Sequence, residues 1–274
     1  MFFLPVLSNF LLVSTGYDET YLKNTEVLNL DSNDTQVPTY LNHPKSIKGA
    51  TGGLISNQFI TCGGYNGGLD ETAYIKECYK IGKNDTSLHG TMKDRRAYAA
   101  SILLTDRLWI LGGGYFDSIE GRLIGLISTE YILQDGKQED GPDLPFAIYD
   151  HAAIQINETH FMIVGGLHEQ SYSQTWIYSN GKWTDGPALL KSRFDHSIGK
   201  IRDSVTHMDY IVVSGGRYSS LVKDTEILAI DGTKWETGKL LLKSLKHSFI
   251  NNVELILLKG LHYQRHFGNI QASH

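Results

Sequence analysis

Short apolar runs, each closing on small residues, recur along the whole chain. They read Phe10–Val13 before Gly16, Phe59–Cys62 before Gly63-Gly64, and Leu108–Leu111 before Gly112-Gly113-Gly114. Further on come Phe161–Val164 before Gly165-Gly166, Tyr210–Ser214 before Gly215-Gly216, and Leu255–Leu258 before Lys259-Gly260. The last glycines, at 16, 64, 114, 166, 216 and 260, are spaced by 48, 50, 52, 50 and 44 residues. A period near 50 marks a repeat architecture and has to be read before any single element.

Each unit has the same internal order. A second strand-like stretch opens at Thr25-Glu26, Lys76-Glu77, Thr129-Glu130, Thr175-Trp176 and Thr225-Glu226, and only the loop before it varies in length. A third carries Trp183 or Trp235 and stops at Gly141-Pro142, Gly186-Pro187 or Gly238-Lys239. A fourth begins near His151, His196 and His247, with Tyr98 and Lys48 in the matching places. No window sustains the i, i+3, i+4, i+7 spacing of an amphipathic helix. Four short strands per unit, punctuated by turn residues, predict an all-β fold built from repeated four-stranded sheets. The apolar N-terminus, Met1 to Val13, fits two short strands meeting at Ser8-Asn9 better than a signal peptide, because it lacks a basic leading segment.

The order apolar strand, Gly-Gly, Tyr178, Trp183, Gly186-Pro187, Arg193, His196 resembles the kelch repeat. The likeness runs along essentially the whole chain. It is strongest in the fourth unit, good in the third and fifth, and degraded in the first, second and sixth. The resemblance implies one kelch-type β-propeller domain over residues 1–274, with units near 1–47, 48–97, 98–150, 151–195, 196–246 and a partial 247–274. Six blades with the last one incomplete are therefore expected. It also implies a protein-interaction module rather than an enzyme; the alternative is a propeller enzyme or sugar-binding protein of the mutarotase or galactose-oxidase-like kind.

Composition narrows the rest. The chain has 41% hydrophobic and 20% charged residues, which suits an ordinary globular protein, and its net charge of −5 argues against nucleic acid. No apolar run is long enough for a membrane helix. A location inside or outside the cell is left open by sequence, with a lean to the exterior. Catalytic signatures fail one by one. The Gly-Lys dipeptides lack the upstream glycine of a phosphate loop, Asp117 stands where a dinucleotide fingerprint needs glycine, and Val212 stands where a nucleophile elbow needs it. His262 and His266 lie four apart but in a polar tail, and the repeated histidines read as packing residues. No catalytic residue, metal or cofactor is implied.

Three features carry chemistry beyond packing. Cys62 and Cys78 fall in consecutive strands of one unit and are a candidate disulfide in an oxidising compartment, or buried thiols in a reducing one. The sequons at Asn33, Asn84 and Asn157 all fall on turns at one end of the predicted sheets. At the opposite end, the loops after the glycines carry Tyr17, Tyr65, Tyr115, Phe116, His168, Arg217 and Tyr218. The segments between units add Arg95, Arg96 and Arg193. Tyrosine and arginine on loops are the composition of interface anchors, so this end is the expected protein-binding face.

Overall fold

The computed structural model describes residues 42–203, 206–222 and 224–238, together with the backbone of three strands nearer the N-terminus. Those three, β1 (Phe2–Val6), β2 (Phe10–Asp18) and β3 (Thr20–Asn29), form an antiparallel sheet in that order. Val6 pairs with Phe10 across the connection at residues 7–9, so the apolar N-terminus is folded into strands. The sixth unit with His247, His262 and His266, the sequon at Asn33, and the side chain of Tyr17 lie outside the described residues.

Four further sheets follow, each antiparallel, four-stranded and contained in one repeat unit. The second is β4 (Thr51–Ile55), β5 (Gln58–Cys62), β6 (Glu77–Ile81) and β7 (Thr86–Thr91). The third holds β8 (Ala100–Leu104) and β9 (Arg107–Leu111). A separate hairpin of β10 (Gly114–Asp117) and β11 (Arg122–Gly125) follows, and β12 (Thr129–Ile132) and β13 (Gln138–Asp140) complete the sheet. The fourth is β14 (Ala152–Gln155), β15 (His160–Val164), β16 (Thr175–Ser179) and β17 (Lys182–Asp185). The fifth is β18 (Ser197–Arg202), β19 (Asp209–Ser214), β20 (Thr225–Ala229) and β21 (Glu236–Thr237). The molecule is all-β, with a single 3₁₀ turn at Glu71–Ala73 among the described residues. First strands of successive sheets touch, β1 to β4, β4 to β8, β8 to β14 and β14 to β18, an arrangement compatible with a β-propeller.

The core lies between sheets and follows from the two-residue period of a strand. Along β9, Leu108 and Ile110 pack toward the second sheet with Ile55, Ile60 and Met92, while Trp109 and Leu111 pack toward the fourth with Phe161 and Ile163. Along β15, Phe161 and Ile163 face back, and Met162 and Val164 face forward onto Ile211 and Val213. Second strands are therefore apolar on both faces, which is why they read as unbroken hydrophobic runs. Tight turns join the first two strands of the second and third sheets. Ser56-Asn57 (φ 47° and 63°) and Thr105-Asp106 (φ 52° and 60°) both use the left-handed pair whose twist matches a hairpin.

The glycine pair and the histidine that follows it are parts of one contact. His151 is buried between two sheets: a Cβ added at Gly112 of one would lie 3.2 Å from its ring, and one at Gly166 of the other 2.7 Å from its Cβ. His196 sits the same way between Gly165 and Gly216. Register places Ala99 and Ala50, rather than Tyr98 and Lys48, at the equivalent points. Ala100 opposes Leu111 and Thr51 opposes Cys62 just as Ala152 opposes Val164, and these histidines and alanines each come one residue earlier. Register also moves the second unit's third strand by two residues, from Lys76-Glu77 to Cys78-Tyr79. Cys78, opposite Cys62, stands where Thr129, Thr175 and Thr225 stand in the other sheets, and Tyr79 stands where Glu130, Trp176 and Glu226 stand.

Candidate functional site

Antiparallel pairing brings the loops after the glycines and the connectors between sheets to one end of the molecule. At the segment leading into each sheet the chain makes a left-handed step two residues before the first strand, at Gly49 (φ 66°), Tyr98 (60°), Asp150 (52°) and Asp195 (56°). Tyr98 N–H donates to the Gly49 carbonyl at 2.7 Å, Asp150 N–H to Tyr98 at 2.9 Å, and Asp195 N–H to Asp150 at 2.9 Å. A belt of main-chain hydrogen bonds thus runs from sheet to sheet at this end. Gly49 is required where it is, since a Cβ there would meet the Tyr98 ring at 2.7 Å.

An aromatic patch is built on the belt. Tyr65, Tyr98, Tyr115, Phe116 and Leu123 are half-buried around Ala73, Tyr74 and Ala97. The rings of Tyr65 and Tyr74 are 4.8 Å apart, the Tyr65 hydroxyl donates to the Gly68 carbonyl at 2.8 Å, and Lys48 Nζ lies 5.7 Å from the Tyr65 ring. Arg95 is fixed beside the patch, donating from Nη1 to the Tyr74 carbonyl at 3.0 Å. Tyr115 and Phe116 reach it because they lie on β10, whose hairpin with β11 is held at the base by Leu123 and Phe116 and rises to an exposed tip at Ile119. The tip is ordered by Asp117, whose Oδ1 accepts from the backbone N–H groups of Ile119 and Glu120. His168 closes against Gly125 at the other side of the hairpin. Arg217 and Tyr218 belong to the loop of the fifth sheet, Arg217 in a backbone bridge to Phe194 and Tyr218 largely exposed.

Two expected anchors are not on this surface. Arg96 and Arg193 are fully buried, because each is the partner of a carboxylate inside its sheet. Arg96 donates to the carbonyls of Gly112 and Ser128, to Ser128 Oγ, and to Glu130. Glu130 also accepts from the backbone N–H groups of Lys93 and Asp94. Arg193 repeats the pattern with Gly215, Asp224 and Glu226, and Glu226 with Leu190 and Lys191. Burial pulls the Arg96 guanidinium down from its ordinary value, while the carboxylates of Glu130 and Asp94 oppose that pull. A buried guanidinium paired with a carboxylate and main-chain carbonyls is structural, and these two arginines are absent from the surface at this end.

The residues that sequence reasoning missed at this end are apolar. Leu69 (92% exposed), Ile119 (94%), Ile127, Leu190 and Leu221 project from the loops and connectors beside the expected Tyr218 (62%). A cleft of about 310 Å³ also opens here, lined by Lys93, Asp94, Ser128, Glu130, Asp140 and neighbours. Its charges are matched across it, Lys93 with Asp140 at 3.1 Å and Asp94 with Arg96 at 3.4 Å. Burial raises the Tyr149 hydroxyl, and hydrogen bonds from Thr72 hold the Asp70 carboxyl down. Neither shift pairs a proton donor with an acceptor poised for transfer.

Among the described residues, no group of three or more His, Cys, Asp or Glu side chains is disposed around a metal site, and no helix is long and apolar enough to cross a membrane. Compared with known proteins, the chain matches no protein-family model and none of the curated proteins.

Proposed function

We propose that this protein is a non-enzymatic interaction module, a kelch-type β-propeller whose blades are the successive sheets, and that it binds a protein partner through its loop-and-connector end. One observation carries the reading. Of the nine large hydrophobic side chains exposed among the described residues, six (Leu69, Ile119, Ile127, Leu190, Tyr218 and Leu221) lie at that end. Single exposed apolar residues are ordinary, but their gathering at one end, the end that also carries the half-buried tyrosine patch beside Arg95, is the composition of an interface core. Support for the kelch reading comes from the recurring contact between histidine and the glycine pairs, and from the touching first strands.

The test uses exposed positions, so that folding is spared. Ile119→Glu combined with Tyr218→Glu is expected to abolish capture of the partners that the unaltered chain retains. Leu103→Glu, an exposed residue of β8 outside this end, should leave them unchanged. An unchanged set of captured proteins with the double variant would refute the assignment of this face.

A further inference from the structure

The end of the sheets opposite the aromatic loops is a different kind of surface. Two of the sequons fall there, on turns between strands. Asn84 lies between β6 and β7, and Asn157 between β14 and β15. Both side chains are exposed. Asn157 is oriented by its Oδ1, which accepts from the backbone N–H groups of Thr159 (3.0 Å) and His160 (2.9 Å). That leaves its amide nitrogen, the atom that would carry a glycan, without a protein acceptor among the described contacts. Asn84 makes no described contact through its side chain. Substituting either nitrogen with a sugar would break nothing in the fold.

A second observation is independent of the sequons. Cys62 and Cys78 face each other directly across the β5–β6 ladder with their Cα atoms 4.0 Å apart, are buried, and are joined as a disulfide. In the other described sheets the same pair of positions holds Leu111 and Thr129, Val164 and Thr175, or Ser214 and Thr225. The fold therefore does not need cysteine at either place, yet the second sheet has it at both. A buried cross-strand disulfide persists where the surroundings are oxidising, and on the secretory route that is also where asparagine sequons meet the glycan-transfer machinery.

We infer that the chain matures on the secretory route and carries N-linked oligosaccharides on Asn84 and Asn157, so that one end of the sheets is sugar-coated and the aromatic end is bare. The attachment joins the asparagine amide nitrogen to the first sugar carbon of a lipid-linked oligosaccharide donor, with the lipid diphosphate leaving and the amide giving up one proton. This inference stands apart from the proposed partner binding, and neither fails with the other.

The decisive experiment is on the chain isolated from its native source. Peptide-N-glycosidase treatment in heavy-oxygen water converts each glycosylated asparagine to a labelled aspartate, which peptide mass spectrometry reads by position. Label at 84 and 157 is expected, and unlabelled asparagine at both positions would overturn the proposal. Alkylation of the unfolded chain before any reduction should leave Cys62 and Cys78 unmodified; alkylation of both would overturn the oxidising compartment. A recombinant arm guards against loss of the native sample. In a secreted chain carrying Asn33→Gln, Asn84→Gln and Asn157→Gln should each remove one glycosidase-sensitive step in mass. No such step in the parent would count equally against the proposal.

Discussion

Arg96 and Arg193 show how one repeat position can be filled in two chemically opposite ways. In the third and fifth sheets it pairs with Glu130 and Glu226; in the second and fourth it is Ile47 and Ile148, with the aromatics Tyr79 and Trp176 in the glutamate's place. The ends of the pair change together, because a buried charge without its partner costs about 3–5 kcal/mol. Arg193→Met alone should lower unfolding free energy by about that much in urea titration. Arg193→Met with Glu226→Leu should recover most of it. The arginines read from sequence as surface anchors because connectors are normally exposed. The signal that would have corrected this was the glutamate, one residue into the third strand of the same units. A similar substitution makes a pH sensor. His43 is buried where the other connectors carry Met92, Leu144 and Leu189, and burial holds its pKa at about 4 against an ordinary 6.5. The unfolded chain therefore takes up a proton between those values while the folded chain does not. Stability present at pH 7 is lost as pH falls through that window, by up to about 3 kcal/mol. His43→Leu should flatten the pH dependence of the urea midpoint between pH 7 and 5.

At the level of elements, the strands were legible because their period is unambiguous, and the register was less so. The second unit's third strand is set two residues later than its Lys-Glu suggests, since Cys78, and not Lys76, faces Cys62. Pairing is decided by the loop that closes it, and the loops are what vary. The hairpin of β10 and β11 was hidden for the same reason, as it occupies the longest of these loops and forms a two-stranded sheet of its own, tied to the rest by a bridge from Gly114 to Ala97. Glycines at left-handed positions do not all matter alike. Gly166 (φ 107°) has His151 and Ile148 at 2.7 Å from any added Cβ, whereas Gly181 (φ 80°), in the turn with Asn180 after β16, has open space. Gly181→Ala should cost about 1–2 kcal/mol, the left-handed penalty alone. Gly166→Ala should cost clearly more, because two sheets must separate to admit a methyl group. Thermal or urea unfolding of the two variants side by side measures the difference.

For the molecule as a whole, the repeat in the sequence conveyed the sheets and the end on which the loops gather. The aromatic patch was partly visible, in Tyr65, Tyr115 and Phe116. Tyr74 and Tyr98 were not, because only packing brings them beside the others. The apolar tips at Leu69 and Ile119 escaped notice because lone hydrophobic residues in loops carry no pattern. The main-chain belt from Gly49 through Tyr98 and Asp150 to Asp195 left no residue signature, since a backbone bond is indifferent to side chain. Its consequence is kinetic. An amide inside a sheet exchanges with solvent when a strand frays, but the amides of Tyr98, Asp150 and Asp195 are each closed by a carbonyl of the connector that leads into the sheet before. They can exchange only when neighbouring sheets part. These three amides should therefore exchange at one common rate, distinct from that of the edge strands, in a site-resolved deuterium experiment. Three unrelated rates would mean that the sheets open independently; one rate makes the belt a clock for the breathing of the whole assembly.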